Sequence, residues 1–406
     1  MQRKIKLLTL SMLLAAVGLI GTGCGDDDGE SYVSSRAYKG HENDLDINYF
    51  VNAYPNTVGT RLDDCQTCHT GGTFTYDSGG QLRTVSFNAC DFCHMVIHPH
   101  DPEYDQTQPT GFSETLNPYG QDYLDAGRDP AAFGAIADID SDGDGYGNAE
   151  EIAVLRYPGD DQSMPGQEVA PMQTFSLADL EALDDHEQFG LANSNKQQFD
   201  FYASYRGVRV VDLLEAAGVD TGDTAIEGIT VIAPDGYLKD FSIEDVLNPF
   251  PAGLFYAGLD TATLGTECGF VEYPDSIPAG VVDGAEIPGE QWLLLAYERD
   301  GLAIDPSNLD ITSGKINGEG PYRVVVPQVT PGMPDRGLNY SPTTCGDGYD
   351  YDASFDHNAG AMVRGVIAIR VNPLPAGYED FDYRNGGWAY IDDVEVLVYG
   401  YGVTTP

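Results

Sequence analysis

The chain has 406 residues, with 65 acidic against 20 basic side chains and a formal charge of −45. Hydrophobic residues make up 42%, enough to build real cores, so wholesale disorder is excluded and two or three domains are expected. The acidity excludes a nucleic-acid partner, because phosphate contacts need clustered Lys and Arg, and 48 Gly with 24 Pro indicate a loop-rich fold.

An export signal comes first in chain order. Arg3, Lys4 and Lys6 precede a mainly apolar run over residues 7–20, and Gly21-Thr22-Gly23 leads into Cys24. A basic region, a short apolar region and small residues at a cleavage point read as a signal peptide over 1–23. A cysteine directly after the small residues resembles a bacterial lipobox. The resemblance implies lipidation at Cys24, membrane attachment through that lipid, and an outer-membrane lipoprotein facing the periplasm or the cell surface. Gly21 departs from the pattern, which usually has an aliphatic residue there, so simple periplasmic release is the alternative. Residues 24–40, with Gly25-Asp26-Asp27-Asp28-Gly29-Glu30, read as a solvated acidic tether. Loss of residues 1–23 removes three basic groups and takes the charge from −45 to −48.

Residues 41–137 carry two five-residue motifs, Cys65-Gln66-Thr67-Cys68-His69 and Cys90-Asp91-Phe92-Cys93-His94. Both are C-x-x-C-H, in which two thiols add across the haem vinyl groups and the next histidine ligates iron. A four-cysteine zinc site or two disulfides would not need a histidine directly after each pair. Two covalently bound haems are therefore expected, on Cys65, Cys68 and His69, and on Cys90, Cys93 and His94. The segment resembles the multihaem cytochromes c of anaerobic, metal-respiring bacteria. For the distal ligands His41, His98 and His100 are candidates, with Met95 as a thioether option. His98 lies four residues after His94, so on a helix it shares that face and would have to serve the other haem. Two filled axial positions leave no open iron site, which favours electron transfer over catalysis. Only small apolar covers are visible near the motifs (Phe50, Tyr54, Phe74, Tyr76, Phe87 and Phe92), so the haems are expected to form much of this core.

Residues 138–165 hold a loop and a short helix. The run from Asp140 to Glu151 fits D-x-D-x-D-G-x₅-E: Asp140, Asp142 and Asp144 at positions 1, 3 and 5, the Tyr146 carbonyl at 7 and Glu151 at 12 would wrap Ca²⁺. Ile152, Val154 and Leu155 are expected to start the exiting helix. Gly147 occupies a position where paired EF-hands have an aliphatic residue, and no second loop is visible. The loop therefore resembles the single Asp-rich calcium loops of extracellular bacterial proteins, with a structural role; an acidic turn without metal is the alternative.

From about residue 170 apolar strand-like runs alternate with turn signals. Phe175-Ser176-Leu177-Ala178-Asp179-Leu180 reads as a Ser-capped helix start, and 205–219 as a strand running into a helix that ends at Gly218. Residues 229–237, 292–297 and 322–327 read as further strands, and 362–371 is expected to close the set. This order is similar to the molybdopterin-binding domain of the sulfite oxidase superfamily over about 200 residues, which implies an α+β fold over 170–406. Catalytic members of that family ligate molybdenum through a cysteine before the equivalent of Tyr205-Arg206-Gly207, and 188–204 here contains none. Molybdenum cofactor is therefore not expected. Cys268 and Cys345, 77 positions apart in an exported chain, read as one disulfide, worth about 4 kcal/mol by loop entropy. His186 and His357 read as isolated surface residues.

The chain thus reads as α+β: a small, haem-cored, loop-rich N-terminal domain, then a mixed, strand-rich domain like that of sulfite oxidases. The expected function is a dihaem c-type cytochrome carrying electrons in the cell envelope, its C-terminal domain a docking or structural module. Its redox partners should present a basic docking surface, drawn by the acidic charge. The alternatives are a molybdenum oxidoreductase with its own haem relay and a subunit of a haem-conducting filament; oligomeric state is not readable.

Overall fold

A computed structural model describes residues 44–77, 82–87, 111–195, 200–310, 315–338, 345, 348–381, 383 and 387–404. Of residues 72–77, 82–87, 308–310, 315, 388 and 389 only the backbone is described. The fold is α+β. Among the described residues no helix is long and apolar enough to cross a membrane.

The N-terminal module is built from short helices with capped starts. Helix α1 (Leu45–Ala53) begins at Asp44, whose carboxylate accepts from the Asp46 and Ile47 N–H groups. Helix α2 (Pro118–Asp125) begins at Asn117, with proline at the first helical position, where a missing N–H costs nothing. Helices α3 (Ala132–Ala135) and α4 (Asn148–Ala153) follow. Their apolar faces meet in one cluster containing Phe50, Leu62, Tyr119, Tyr123, Phe133, Ile136, Ile152 and Tyr157. The Phe133 ring stacks on Tyr123 at 4.2 Å and meets the Phe50 ring edge-on at 5.6 Å. Phe50 and Tyr54, two of the covers expected near the motifs, take part in this packing. Residues 119–157 fold back over α1 and supply a dry aromatic core that the segment around the cysteines lacks by itself.

Helix α4 also ends earlier than expected. Val154 is its cap and Leu155 takes a left-handed φ of +59°, so neither continues the helix. That turn sends Arg156 back over the helix end, where its N–H donates to the Glu151 carbonyl at 2.9 Å.

Among the described residues two larger sheets frame the C-terminal region, with three two-stranded sheets beside them. In one, the long strand Asp200–Arg209 is flanked by Asp185–Ala192 and Leu294–Arg299, both antiparallel, with Arg323–Val325 beyond the latter. Gly207 permits the close pairing, since a Cβ there would lie 2.0 Å from the Leu295 carbonyl oxygen. In the other, the order is Met172–Ser176, Glu395–Gly400, Ala368–Asn372, Gly228–Ile232, Leu238–Ser242. All five residues of Gly228–Ile232 are buried, the pattern of a strand covered on both faces, whereas Leu238–Ser242 at the edge is largely exposed. Glu395–Gly400 lies between its neighbours and pairs in parallel with Ala368–Asn372, so 362–371 does not close the set. A parallel pair needs a crossover, and helix Gly387–Asp392 lies within this one. The Ser176–Asp179 capping box opens a helix over Leu177–Glu181, and the strand ending at Arg209 passes into helix Val210–Ala216 before Gly218 at φ +83°.

A buried three-way ion pair joins the two regions. Glu379 accepts from both terminal nitrogens of Arg61 (2.8 and 2.5 Å), lies 3.0 Å from an Arg156 nitrogen, and accepts from the Ser163 hydroxyl. The Arg61 guanidinium also lies over the Tyr157 ring at 4.2 Å.

Candidate functional site

Cys65, Cys68 and His69 line one cleft of about 270 Å³, open to solvent on one side. A single 3₁₀ turn over Cys65–Thr67 places them. Asp64 caps it through Gln66 N–H, and the Cys68 and His69 N–H groups donate to the Cys65 and Gln66 carbonyls. The turn is pinned by Asn117, whose side-chain N–H₂ donates to the Thr67 carbonyl and the Thr70 hydroxyl while its backbone N–H donates to the Cys68 carbonyl. Helix α2 can press this close because residue 120 is glycine: a Cβ there would stand 2.2 Å from the Cys68 carbonyl oxygen. Ile47 and Phe50 of α1, Leu116, Tyr123 and Leu124 of the α2 segment, and Phe133 of α3 supply apolar walls.

The electrostatics suit a ligand bound through neutral donors. Burial pushes the His69 pKa down to about 4, so its imidazole is neutral at neutral pH, the form that binds a metal. Its Nδ1 lies 2.7 Å from the Thr115 hydroxyl, and its ring stacks on Phe112 at 4.0 Å. Burial, with Cys65 beside it, pushes the Cys68 thiol up, so the protonated form is favoured. At the rim burial opposes ionisation of Asp46, but hydrogen bonds from Arg128 and Tyr123 outweigh it and hold that carboxyl below its usual range. These residues fit a covalently held haem: two thiols one turn apart, a neutral imidazole beside them, and apolar walls. Thr115, Asn117, Gly120 and Arg128 were not singled out from sequence; the Asn117-Pro118 pair, a cap followed by a first-turn proline, was the one legible signal. Cys90, Cys93, His94, His41, His98, His100 and Cys24 lie outside the described residues.

A second cluster sits in the loop between α3 and α4. The carboxylates of Asp140, Asp142 and Asp144 offer oxygens within 4.8 Å of one another, in a group that does not include Glu151. The loop is held in shape by its own acids: Asp140 accepts from Gly143 and Gly145, Asp142 from Asp144, and Asp144 from Tyr146. Gly145 takes φ +104°, a left-handed turn that favours glycine. Two features set these carboxylates apart. One oxygen each of Asp142 and Asp144 and both of Glu151 are buried with no hydrogen-bond partner, and Glu151 is 0% exposed. Burial and neighbouring carboxylates push Glu151 up to about 9 and Asp142 up to about 6. Ser141 donates to Asp122 of α2 at 2.7 Å, which ties this loop to a wall of the cleft.

In the C-terminal region Cys268 and Cys345 form a disulfide, with Cα atoms 5.3 Å apart. His186 contacts the Glu290 carbonyl, but His357 is not a surface residue. Its side chain is 7% exposed and its Nε2 lies 3.1 Å from both Asp335 oxygens, with Tyr351 stacked on the ring. Asp335 closes loops in turn, donating its N–H to buried Asp200 and accepting from Asp352. A cavity lined by Gln188, Gln291, Gln328, Tyr205 and Met362 encloses about 20 Å³, room for about one water. No family model, curated protein or solved structure matches this chain.

Proposed function

We propose that the chain is an exported c-type cytochrome that passes electrons in the cell envelope. The observation that carries this reading is the convergence of Cys65, Cys68 and neutral His69 on one apolar-walled cleft, with His69 Nδ1 already engaged by Thr115. Cys65 and Cys68 would hold a haem by thioether bonds and His69 would ligate its iron, a group that supplies one-electron redox chemistry when bound. The protein's part is to present two thiols at fixed spacing, orient one imidazole and exclude water with Phe50, Leu116 and Phe133. The identical spacing of Cys90, Cys93 and His94 extends the reading to a second haem, with His41, His98 and His100 as distal candidates. The C-terminal region then serves docking or structure, and a charge of −48 after export steers a basic partner, at rates that fall as salt screens it. The test is an iron, calcium and molybdenum count with a reduced-minus-oxidised spectrum, on protein matured where haem attachment is active. Two irons per chain with covalent c-type bands are expected. No covalent haem would end the reading, and one molybdenum per chain would replace it with the oxidoreductase.

A specific observation favours a second, compatible assignment. Glu151, Asp142 and Asp144 have buried oxygens without partners, which suits Ca²⁺ held by Asp140, Asp142, Asp144, the Tyr146 carbonyl and Glu151. Its role is structural, since Ser141–Asp122 and the shared aromatic core link the loop to the cleft. Calorimetric titration with Ca²⁺ should give one site per chain that Glu151→Gln abolishes; no heat in either protein would refute it.

A further inference from the structure

The 3₁₀ turn Phe112–Thr115 brings the Thr115 hydroxyl to Nδ1 of the His69 ring from 46 positions away in sequence. Thr115 is fully buried, and its hydroxyl has a single hydrogen. That hydrogen goes to the Phe112 carbonyl, an acceptor only, at 2.7 Å. The Thr115 oxygen therefore meets His69 Nδ1, also at 2.7 Å, with a lone pair. That contact requires the proton on Nδ1, which leaves the lone pair on Nε2. Phe112 also fixes the ring plane by stacking at 4.0 Å.

We propose that Thr115 is a positioning residue that sets the tautomer and the basicity of His69 toward a metal on its Nε2 side, an inference that rests on the haem reading above. A chain of hydrogen bonds from Nδ1–H through the hydroxyl to a carbonyl draws the proton away from the ring. The imidazole becomes a stronger donor, which favours the oxidised metal. Thr115→Val keeps the shape and removes the acceptor; Thr115→Ser keeps the acceptor.

The experiment uses the full exported protein. Haem content is read first in the wild type, where absence of covalent haem is failure of the underlying reading and not of this inference. Spectroelectrochemical titration then follows each variant. Thr115→Val should move one midpoint to more positive potential by about 59 mV, a tenfold change in a one-electron equilibrium. Thr115→Ser should restore the wild-type value, and the other midpoint should stay in place. Full haem content with both midpoints unchanged in Thr115→Val overturns the proposal. Should the valine variant not fold, the tautomer is read in the wild-type chain made without haem by proton–nitrogen correlation spectra: a proton on His69 Nδ1 is expected, and one on Nε2 overturns the proposal.

Discussion

Removing Glu379 should loosen the whole junction between the cleft-bearing module and the C-terminal sheets. Its carboxylate is 6% exposed and faces Arg61 at 9% and Arg156 at 12%. Glu379→Ala leaves both guanidinium groups in a dry site without an anion, and breaking a buried pair from one side costs about 3–5 kcal/mol. Asp160 is close enough to feel both Glu379 and Arg61; burial, and then Glu379, push its pKa up, so its ionisation once Glu379 is gone would offset part of this cost. Glu379→Gln keeps the shape and one acceptor and should cost less, roughly 2 kcal/mol. Equilibrium urea denaturation reads the difference. With a slope near 3 kcal/mol/M, Glu379→Ala should lower the midpoint by roughly 1–1.7 M. A loss under about 1 kcal/mol would mean that water reaches the pair and that it behaves like an exposed one, which would refute the argument.

Three further outcomes are expected. Saturating Ca²⁺, at a hundred times its dissociation constant, should stabilise the wild type by about 2.7 kcal/mol in thermal unfolding and leave Glu151→Gln unmoved; equal stabilisation of both would separate the effect from this loop. Gly120→Ala drives a methyl group into the Cys68 carbonyl and the Leu116 side chain, so it should cost about 1–3 kcal/mol and reduce haem incorporation. Unaltered incorporation would show that α2 does not brace the motif. Burial pushes Asp200 up to about 8 from an ordinary value near 4. The folded state then holds a proton that the unfolded chain has lost, so the stabilisation present below pH 4 fades as pH rises to about 8. The slope is up to about 1.4 kcal/mol per pH unit from this group. Asp200→Asn should flatten that part of the profile, and an unchanged slope would assign it to other groups.

The readable features are those whose partners are close in sequence. C-x-x-C-H and D-x-D-x-D-G-x₅-E each compress a candidate ligand set into five or twelve residues, so spacing alone names the proposed donors. The Ser176–Asp179 box and Gly218 likewise mark ends of elements by local hydrogen bonding and left-handed backbone. The helix after the calcium-type loop was overextended because Val154 and Leu155 are good apolar residues, and nothing local announces that Leu155 turns left-handed. His357 looked isolated because Asp335 is an ordinary acid among 65, singled out only by burial.

By itself, then, the amino-acid order determined the composition-level class, the alternation of strands and short helices, and the residues proposed to attach haem or to offer oxygens to a cation. The tertiary structure decided what surrounds them. Thr115 on His69, Asn117 and Gly120 against the cysteine turn, and the aromatic core from 119–157 all come from generic residue types many positions away. The Arg61–Glu379 pair spans 318 positions. Spacing encodes contacts within a turn, whereas contacts across the fold depend on how all the apolar faces are buried together, and no short pattern of residues records that.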